Sequence, residues 1–347
     1  MQVATMMSYV GGFLEAVNEI QALEKAGLHT AWVPEAYGFD APSQMGYLAA
    51  KTETVRIASG ILPVYTRTPT LLAMTAAGVD ALSGGRAMLG LGASGPQVIE
   101  GFHGVSYDAP VTRIREVIEI CRQVWKRERV EYEGKKYQIP LSEGGTGLGK
   151  PLKMITHPVR EDIPITIAAL GQKSVEQTAA LADGWLPVFF HPGKMKLLWG
   201  EALDRGTARR DPSRGKLEVF AGGGVGIGEG LEGYRDHARG GIALYVGGMG
   251  ARGKNFYNDV FTSLGYEAEA KEIQDLYLSG KKREAAAAVP ASFIDETTLI
   301  GPKSFVRENL ARYRDAGVTS LNINLVGNTL KERQATLDQL NELIAGG

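Results

Sequence analysis

The chain has 347 residues, and its 38 basic and 39 acidic side chains leave a formal charge of −1. The near-neutral charge, with no long basic run, argues against nucleic acid as the main partner, and no apolar stretch reaches the ~18 residues of a membrane span. The single cysteine, Cys121, excludes internal disulfides and cysteine-based zinc sites, and the first residues lack the basic region of a secretory signal. We therefore expect a cytoplasmic globular protein with no nucleic-acid or membrane partner.

Apolar segments rich in β-branched residues alternate with helical segments along the whole chain. The predicted strands begin near Val3, Leu28, Val55, Ala87, Ile163, Gly184, Leu217 and Val318. This alternation predicts an α/β fold, a (βα)8 TIM barrel in a single domain spanning residues 1–347. The distance in sequence to the next strand is too long for a single helix after the fourth predicted strand, near Ala87, and after the seventh, near Leu217. Insertions are therefore predicted at approximately 130–162 and 229–300.

Four segments between or after the strands have clear helical signals. Apolar positions recur every three or four residues from Phe13 to Ile20, before Gly27 ends the helix, and again from Pro110 to Trp125. Proline and glycine bound a third helix between Pro302 and Gly317. A last helix is predicted from about Thr329 to Ile344.

A dinucleotide-binding (Rossmann) domain is the main competitor, because two G-x-G-x-x-G strings occur, Gly228–Gly233 and Gly248–Gly253. The second follows Ile242–Val246, which has the composition of a strand. A true fingerprint needs another strand ending in an acidic residue about 20 residues later, and residues 263–270 contain no apolar run. With 45 glycines, about 13% of the chain against a usual ~7%, such strings arise by chance, so we favour the barrel.

A barrel carries its active site at the carboxyl ends of its strands, so the candidate residues are expected there. The strand-5 end, Ala168–Ser174, places glycine and Lys173 before a helix, an arrangement suited to phosphate. Four aromatic residues follow other strands and are suited to a flat organic ring, namely Tyr9, Tyr37, Phe189 and Phe190. The sequence contains no H-E-x-x-H, Walker A or G-x-S-x-G string, and we predict no metal site. This pattern favours a phosphate-bearing redox cofactor.

Longer motifs resemble one known family. The stretch Arg67-Thr-Pro69 to Leu82-Ser-Gly-Gly-Arg86 is followed by Leu89-Gly-Leu-Gly92-Ala-Ser-Gly-Pro96, Glu100-Gly-Phe-His-Gly104 and, later, Ala168-Ala-Leu-Gly171 with Ala182-Asp-Gly-Trp185. Over nearly its whole length the chain resembles the bacterial-luciferase-like superfamily, and within it the oxidoreductases that use coenzyme F420, a deazaflavin. The alternative cofactor within this family is FMN, and the alternative activity is that of an FMN-dependent monooxygenase.

The resemblance implies a homodimer that transfers a hydride between the cofactor and a small carbonyl, alcohol or activated alkene. It also implies a non-proline cis peptide at Gly60–Ile61, behind the cofactor ring. The cofactor-binding residues that it suggests are Glu35, Ser59, Gly60, Ile61, Gly92, Ser94, Gly95, Val98, Ala168, Ala169, Leu170, Gly171, Gln172 and Lys173.

The catalytic candidates are Glu35, Tyr37, His103 and His191, and each has an equally simple structural interpretation. Glu35 either contacts the cofactor or pairs with an arginine such as Arg67. Tyr37 either donates a proton or packs. His103 and His191 either face the substrate or stabilise their loops. Related sugar-phosphate dehydrogenases have Asp-His after strand 2, where this chain has Glu35-Ala36, so the base of that reaction is missing. A non-catalytic flavin- or deazaflavin-binding barrel therefore remains a further alternative.

Overall fold

The computed structural model describes residues 1–8 and 11–346. Tyr9, one of the predicted aromatic residues, lies outside these ranges. The strands are β1 (Gln2–Met6), β2 (Thr30–Val33), β3 (Arg56–Ser59), β4 (Leu62–Pro63), β5 (Ala87–Gly92), β6 (Tyr132–Glu133), β7 (Gln138–Ile139), β8 (Ile165–Ile167), β9 (Gly184–Trp185), β10 (Glu218–Ala221), β11 (Gly224–Ile227), β12 (Leu299–Gly301) and β13 (Ser320–Leu325).

Helices connect and cover these strands. They are α1 (Phe13–Lys25), α2 (Ala41–Lys51), α3 (Pro69–Ser83), α4 (Pro96–Ile99), α5 (Pro110–Trp125), α6 (Gln172–Leu181), α7 (Met195–Ala208), α8 (Glu232–Ala243), α9 (Phe256–Ser263), α10 (Glu267–Leu278), α11 (Lys282–Ala287), α12 (Ala291–Thr297), α13 (Lys303–Asp315) and α14 (Leu330–Ala345). A π-helical turn, Leu244–Gly248, continues α8, and a 3-10 turn spans Pro212–Arg214. No helix in the described ranges is long and apolar enough to span a membrane.

Eight parallel strands close into a barrel in the order β1, β2, β3, β5, β8, β9, β10 and β13, and β13 pairs back to β1. All eight predicted strands are present, and the predicted TIM barrel is confirmed. Thr329 caps α14 through a capping box with Glu332, and α1, α5 and α13 occupy the predicted helical segments.

The barrel interior is filled by side chains that point inward from successive strands. The Trp32 and Phe220 rings meet edge to face, with centroids 4.9 Å apart. Close strand packing requires glycine at Gly90, since a Cβ there would lie 1.8 Å from the Ser59 carbonyl oxygen. Ser59 Oγ completes this contact by accepting from Gly90 N and donating to Gly90 O, each at 2.8 Å.

The long segment after β5 and α5 forms a hairpin, β6–β7, that is tied to the barrel by one buried carboxylate. Glu116, on α5, accepts hydrogen bonds from the backbone N–H groups of Lys135, Lys136 and Tyr137 at 2.8–3.0 Å. Such charge-assisted bonds are strong, and they fix the hairpin beside α5.

The long segment after β10 is partly a continuation of the sheet, which the sequence interpretation missed. The chain resumes as β11 beyond Gly222 and Gly223, and β11 pairs with both β12 and β13. Helices α8–α12 follow. The residues of the proposed strand Ile242–Val246 are helical, so the Rossmann alternative is wrong. The first glycine string joins β11 to α8, within a barrel rather than a dinucleotide-binding sheet.

Candidate active site

A cavity of about 610 Å³ opens at the carboxyl end of the barrel. Nine residues predicted to bind the cofactor line it, namely Ile61, Gly92, Ser94, Ala168, Ala169, Leu170, Gly171, Gln172 and Lys173. The loops after β3, β5 and β8 supply them, because the carboxyl ends of parallel barrel strands converge there. Predicted residues outside the lining are Glu35, Ser59, Gly60, Gly95 and Val98.

The base of the cavity is formed by the β3–β4 bulge against β5. The Gly60–Ile61 peptide is cis, as the resemblance implied. The Ile61 side chain packs against Gly92, where a Cβ would lie 3.0 Å from Ile61 Cδ1 and from Cγ1. Ile61 and Gly92 therefore contribute adjoining apolar surface to the cavity. Ser59 lies behind it and is fully buried, with its hydroxyl engaged by Gly90, so it holds the strands together rather than facing the cavity.

One end of the cavity combines exposed backbone N–H groups with a cation. Gly171 is the N-cap of α6 in an extended conformation, and Lys173 is in the first turn. Helix N-termini attract anions because their first N–H groups have no partner within the helix. Two buried indoles fix the preceding loop, since Trp185 donates to Ala169 O at 2.9 Å and Trp199 donates to Leu170 O at 2.7 Å.

A second wall of the cavity was missed by the sequence interpretation. This wall is formed by residues within 107–114, at and before the start of α5, and within 256–263, of α9, and Leu186, Val188 and Leu198 also line the cavity. Tyr107 donates to Ser94 O at 3.3 Å and stacks on Tyr65, with centroids 5.2 Å apart. Burial raises the pKa of the Tyr107 hydroxyl, which keeps it protonated. The sequence signal was weak because α9 lies some 160 residues beyond the loop after β5, with which it shares the cavity lining.

Glu35 is held by Arg67 at the edge of the mouth. Arg67 Nη1 and Nη2 donate to Glu35 Oε1 and Oε2, both at 2.7 Å, and Ala41 N donates to Oε2 at 2.9 Å. Both side chains are largely buried. Of the two interpretations of Glu35, the structure therefore presents the ion pair, which joins the loop after β2 to the start of α3.

The structure does not bring the two candidate histidines into the cavity. His191 is completely buried against Phe293 of α12, and its Nε2 lies 3.2 Å from Glu296 Oε2 without the alignment of a hydrogen bond. Burial lowers the pKa of the His191 imidazole. His103 packs edge-on against Phe102, and its Nε2 is buried. Packing against neighbouring rings accounts for both positions.

Tyr37, in the loop after β2, does not line the cavity either, and 61% of its surface is accessible. Cys121 and Arg86 lie away from the cavity. Cys121 is buried on α5, and Arg86 donates to backbone carbonyls at the opposite end of the barrel. Within residues 1–8 and 11–346, no three His, Cys, Asp or Glu side chains are grouped to hold a metal ion.

The sequence that forms this site is matched by a family model. The model of the luciferase-like monooxygenase family matches residues 1–320. The chain belongs to this family. The resemblance seen in the motifs is thereby confirmed, and the matched residues include each loop that lines the cavity.

Known relatives agree over most of their length. A putative coenzyme F420-dependent oxidoreductase of Mycobacterium tuberculosis is 42% identical over 306 residues, covering 87% of this chain and 88% of the relative. A 5,10-methylenetetrahydromethanopterin reductase of Archaeoglobus fulgidus is 27% identical over 311 residues, covering 89% of each. The solved coenzyme F420-dependent tetrahydromethanopterin reductase of Methanopyrus kandleri superposes with a TM-score of 0.77 at 20% identity, covering 99% of this chain and 98% of that one, which supports the barrel fold.

Proposed function

We propose that this luciferase-like protein is an oxidoreductase that uses coenzyme F420 and acts on a small organic substrate. The observation that carries the proposal is one continuous cavity that joins the apolar residues Ile61 and Gly92 to the start of helix α6, Gly171–Lys173. A flat ring with a phosphate-bearing tail has these two requirements. The F420-dependent relative, at 42% identity, supports the same cofactor.

Each part of the cavity has a defined task in this proposal. Ile61 and Gly92 support one face of the ring, and the N–H groups of Gly171–Lys173, with the Lys173 ammonium, hold the phosphate. When bound, the deazaflavin supplies or accepts a hydride. The walls from α5 and α9 exclude water from the reacting carbon. Tyr37, exposed in the loop after β2, is our candidate for the group that gives or takes the accompanying proton.

The remaining candidates receive structural tasks. Glu35 is already bound by Arg67 and Ala41 N, so we assign it the positioning of the Tyr37 loop. His191 and His103 stabilise the packing of the insertion and of the loop after β5.

The cofactor is tested by titrating the purified protein with coenzyme F420 and, separately, with FMN while following fluorescence. We expect saturable F420 binding and much weaker FMN binding. Tight FMN binding with no F420 binding would overturn the proposal in favour of a monooxygenase. F420 binding without hydride exchange to any carbonyl or enone would instead support a non-catalytic cofactor-binding barrel.

We also propose that the protein is a homodimer formed through the outer face of α3. Leu71, Met74 and Leu82 are 45%, 54% and 69% exposed and recur along one side of that helix. Exposed apolar stripes of this kind mark interaction surfaces. Sedimentation should give a dimer for the native chain and a monomer for the Leu71→Asp, Met74→Asp variant, and a native monomer would refute the proposal.

A further inference from the structure

Five aromatic rings lie at the carboxyl end of the barrel in two groups of contacting rings, Tyr37 with Phe102, and Phe189 with Tyr245 and Tyr257. They come from the loops after β2, β5 and β9 and from the second insertion, and we call them the aromatic wall: Tyr37, Phe102, Phe189, Tyr245 and Tyr257. Tyr257 also lines the cavity itself, so the wall is continuous with the proposed cofactor site.

The inner part of the wall is rigidly packed. Phe189 lies with its ring centroid 6.1 Å from Tyr245 and 6.2 Å from Tyr257, and those two tyrosines are 4.9 Å apart at 82°. Edge-to-face contacts of this kind favour one fixed arrangement of the rings. Phe189 adopts φ +56°, a left-handed conformation that is costly for a bulky residue and persists only where packing enforces it.

The outer part of the wall is open to solvent. Tyr37 and Phe102 have centroids 6.0 Å apart and remain 61% and 66% exposed. The phenol of Tyr37 lies close enough to Tyr245 to help raise the pKa of Tyr245, after the larger effect of burial. Two exposed rings beside a packed aromatic cluster and a cavity are typical of a ligand surface.

The wall has no formal charge to offer a ligand. Its members are phenylalanine and neutral tyrosine, and the nearby Arg67 is neutralised by Glu35. Lys173, the cation of the cavity, lies at the start of α6. A charged substrate such as a sugar phosphate would therefore lose hydration at the wall without gaining a partner.

We propose that the substrate is an uncharged carbonyl compound or conjugated alkene that bears an aromatic or other flat unsaturated ring, and that the aromatic wall binds this ring. The inference rests on the proposed F420-dependent reaction. In the reductive direction, the C=C bond takes a hydride at one carbon and a proton at the other, and the dihydro form of the cofactor, which supplies the hydride, is oxidised.

The test compares two enones that differ only at the ring, 4-phenylbut-3-en-2-one and pent-3-en-2-one, with glucose 6-phosphate as a charged reference. Oxidation of reduced F420 by each enone is followed by absorbance, and so is reduction of oxidised F420 by glucose 6-phosphate, because this sugar gives up a hydride rather than accepting one. Burial and stacking of one phenyl ring predict a kcat/KM at least about tenfold higher for the phenyl compound, and no detectable turnover of the sugar phosphate. Equal use of the two enones, or preference for the sugar phosphate, would overturn the inference.

Variants identify the wall as the source of the preference. Phe102→Leu and Tyr245→Leu keep apolar volume but remove a ring, so each should lower kcat/KM for the phenyl enone at least about threefold more than for the methyl enone. Tyr47→Leu is the matched control, since Tyr47 is 40% exposed on α2, away from the wall. Equal losses on both enones, or no loss on either, would contradict the assignment.

A binding measurement separates this inference from the proposed function. Calorimetric titration without cofactor, using the ketone 4-phenylbutan-2-one against pentan-2-one, should show about tenfold tighter binding of the phenyl ketone, reduced in Phe102→Leu. If the protein prefers the phenyl ketone but does not bind F420, the result would support ring binding by the aromatic wall and refute the proposed cofactor. F420 binding without it would refute the wall and leave the cofactor standing.

Discussion

The ion pair of Glu35 and Arg67 gives the sharpest test of how the mouth of the barrel is built. Their side chains are 7% and 15% exposed, and Arg67 makes two hydrogen bonds of 2.7 Å to the carboxylate. In Arg67→Met, the Glu35 carboxylate stays buried with Ala41 N as its remaining partner. Removing one partner of a buried pair costs about 3–5 kcal/mol in the free energy of unfolding.

For a chain of 347 residues, that loss corresponds to a decrease of about 4–7 °C in the unfolding midpoint. Glu35→Gln should cost less, because Arg67 can turn toward solvent, and the double variant should be more stable than Arg67→Met alone. Circular dichroism during thermal and urea unfolding measures all three. An unfolding midpoint lowered by less than about 1 °C in Arg67→Met would refute this reasoning. A hundredfold loss of kcat in a stable Glu35→Gln variant would show instead that Glu35 transfers a proton directly in the reaction.

Three further changes test other parts of the structure. Lys173→Gln should weaken F420 binding about tenfold in a fluorescence titration, whereas Lys196→Gln, on α7, should leave it unchanged. Equal effects of the two substitutions would argue against a phosphate contact at Lys173. Burial lowers the pKa of His191 below its ordinary 6.5, so the folded protein binds fewer protons than the unfolded chain as pH falls toward 5. The native protein should therefore lose stability over this range, and His191→Phe should lose less. Parallel curves of unfolding free energy against pH for the two proteins would contradict this. Glu116→Gln should lower the free energy of unfolding in urea by about 2–4 kcal/mol, because its three hydrogen bonds would no longer have a charged acceptor. The exposed control Glu128→Gln should change the free energy of unfolding little. Equal losses would mean that Glu116 does not hold the hairpin.

Strand positions were predictable because each barrel strand is a short apolar run bounded by glycine, proline or polar residues. Ala87–Gly92 and Ser320–Leu325 both lie where the sequence pattern puts them. The short strand Leu299–Gly301 was missed, since three residues carry too little periodicity to separate a strand from a helix end. Its pairing with β11 depends on a contact between segments some 70 residues apart.

Nine of the cofactor-binding predictions line the cavity because each lies at the end of a strand or in the segment that follows it, and the barrel brings strand ends together whatever the loop contains. The two candidate histidines do not line the cavity. His191 also follows a strand, but α12 packs over it, and nothing near residue 191 in the sequence indicates that helix 100 residues later.

By itself, the sequence determined the barrel, its family and the loops that face the proposed cofactor, because these depend on local periodicity and on motifs a few residues long. Only the tertiary structure decided which side chains remain available for chemistry. Glu35 became an ion pair, His191 became part of a buried interface, and Tyr37 with Tyr245 became neighbours across more than 200 residues of chain. Charge partners and burial are properties of contacts distant in sequence, and they set the role of each residue.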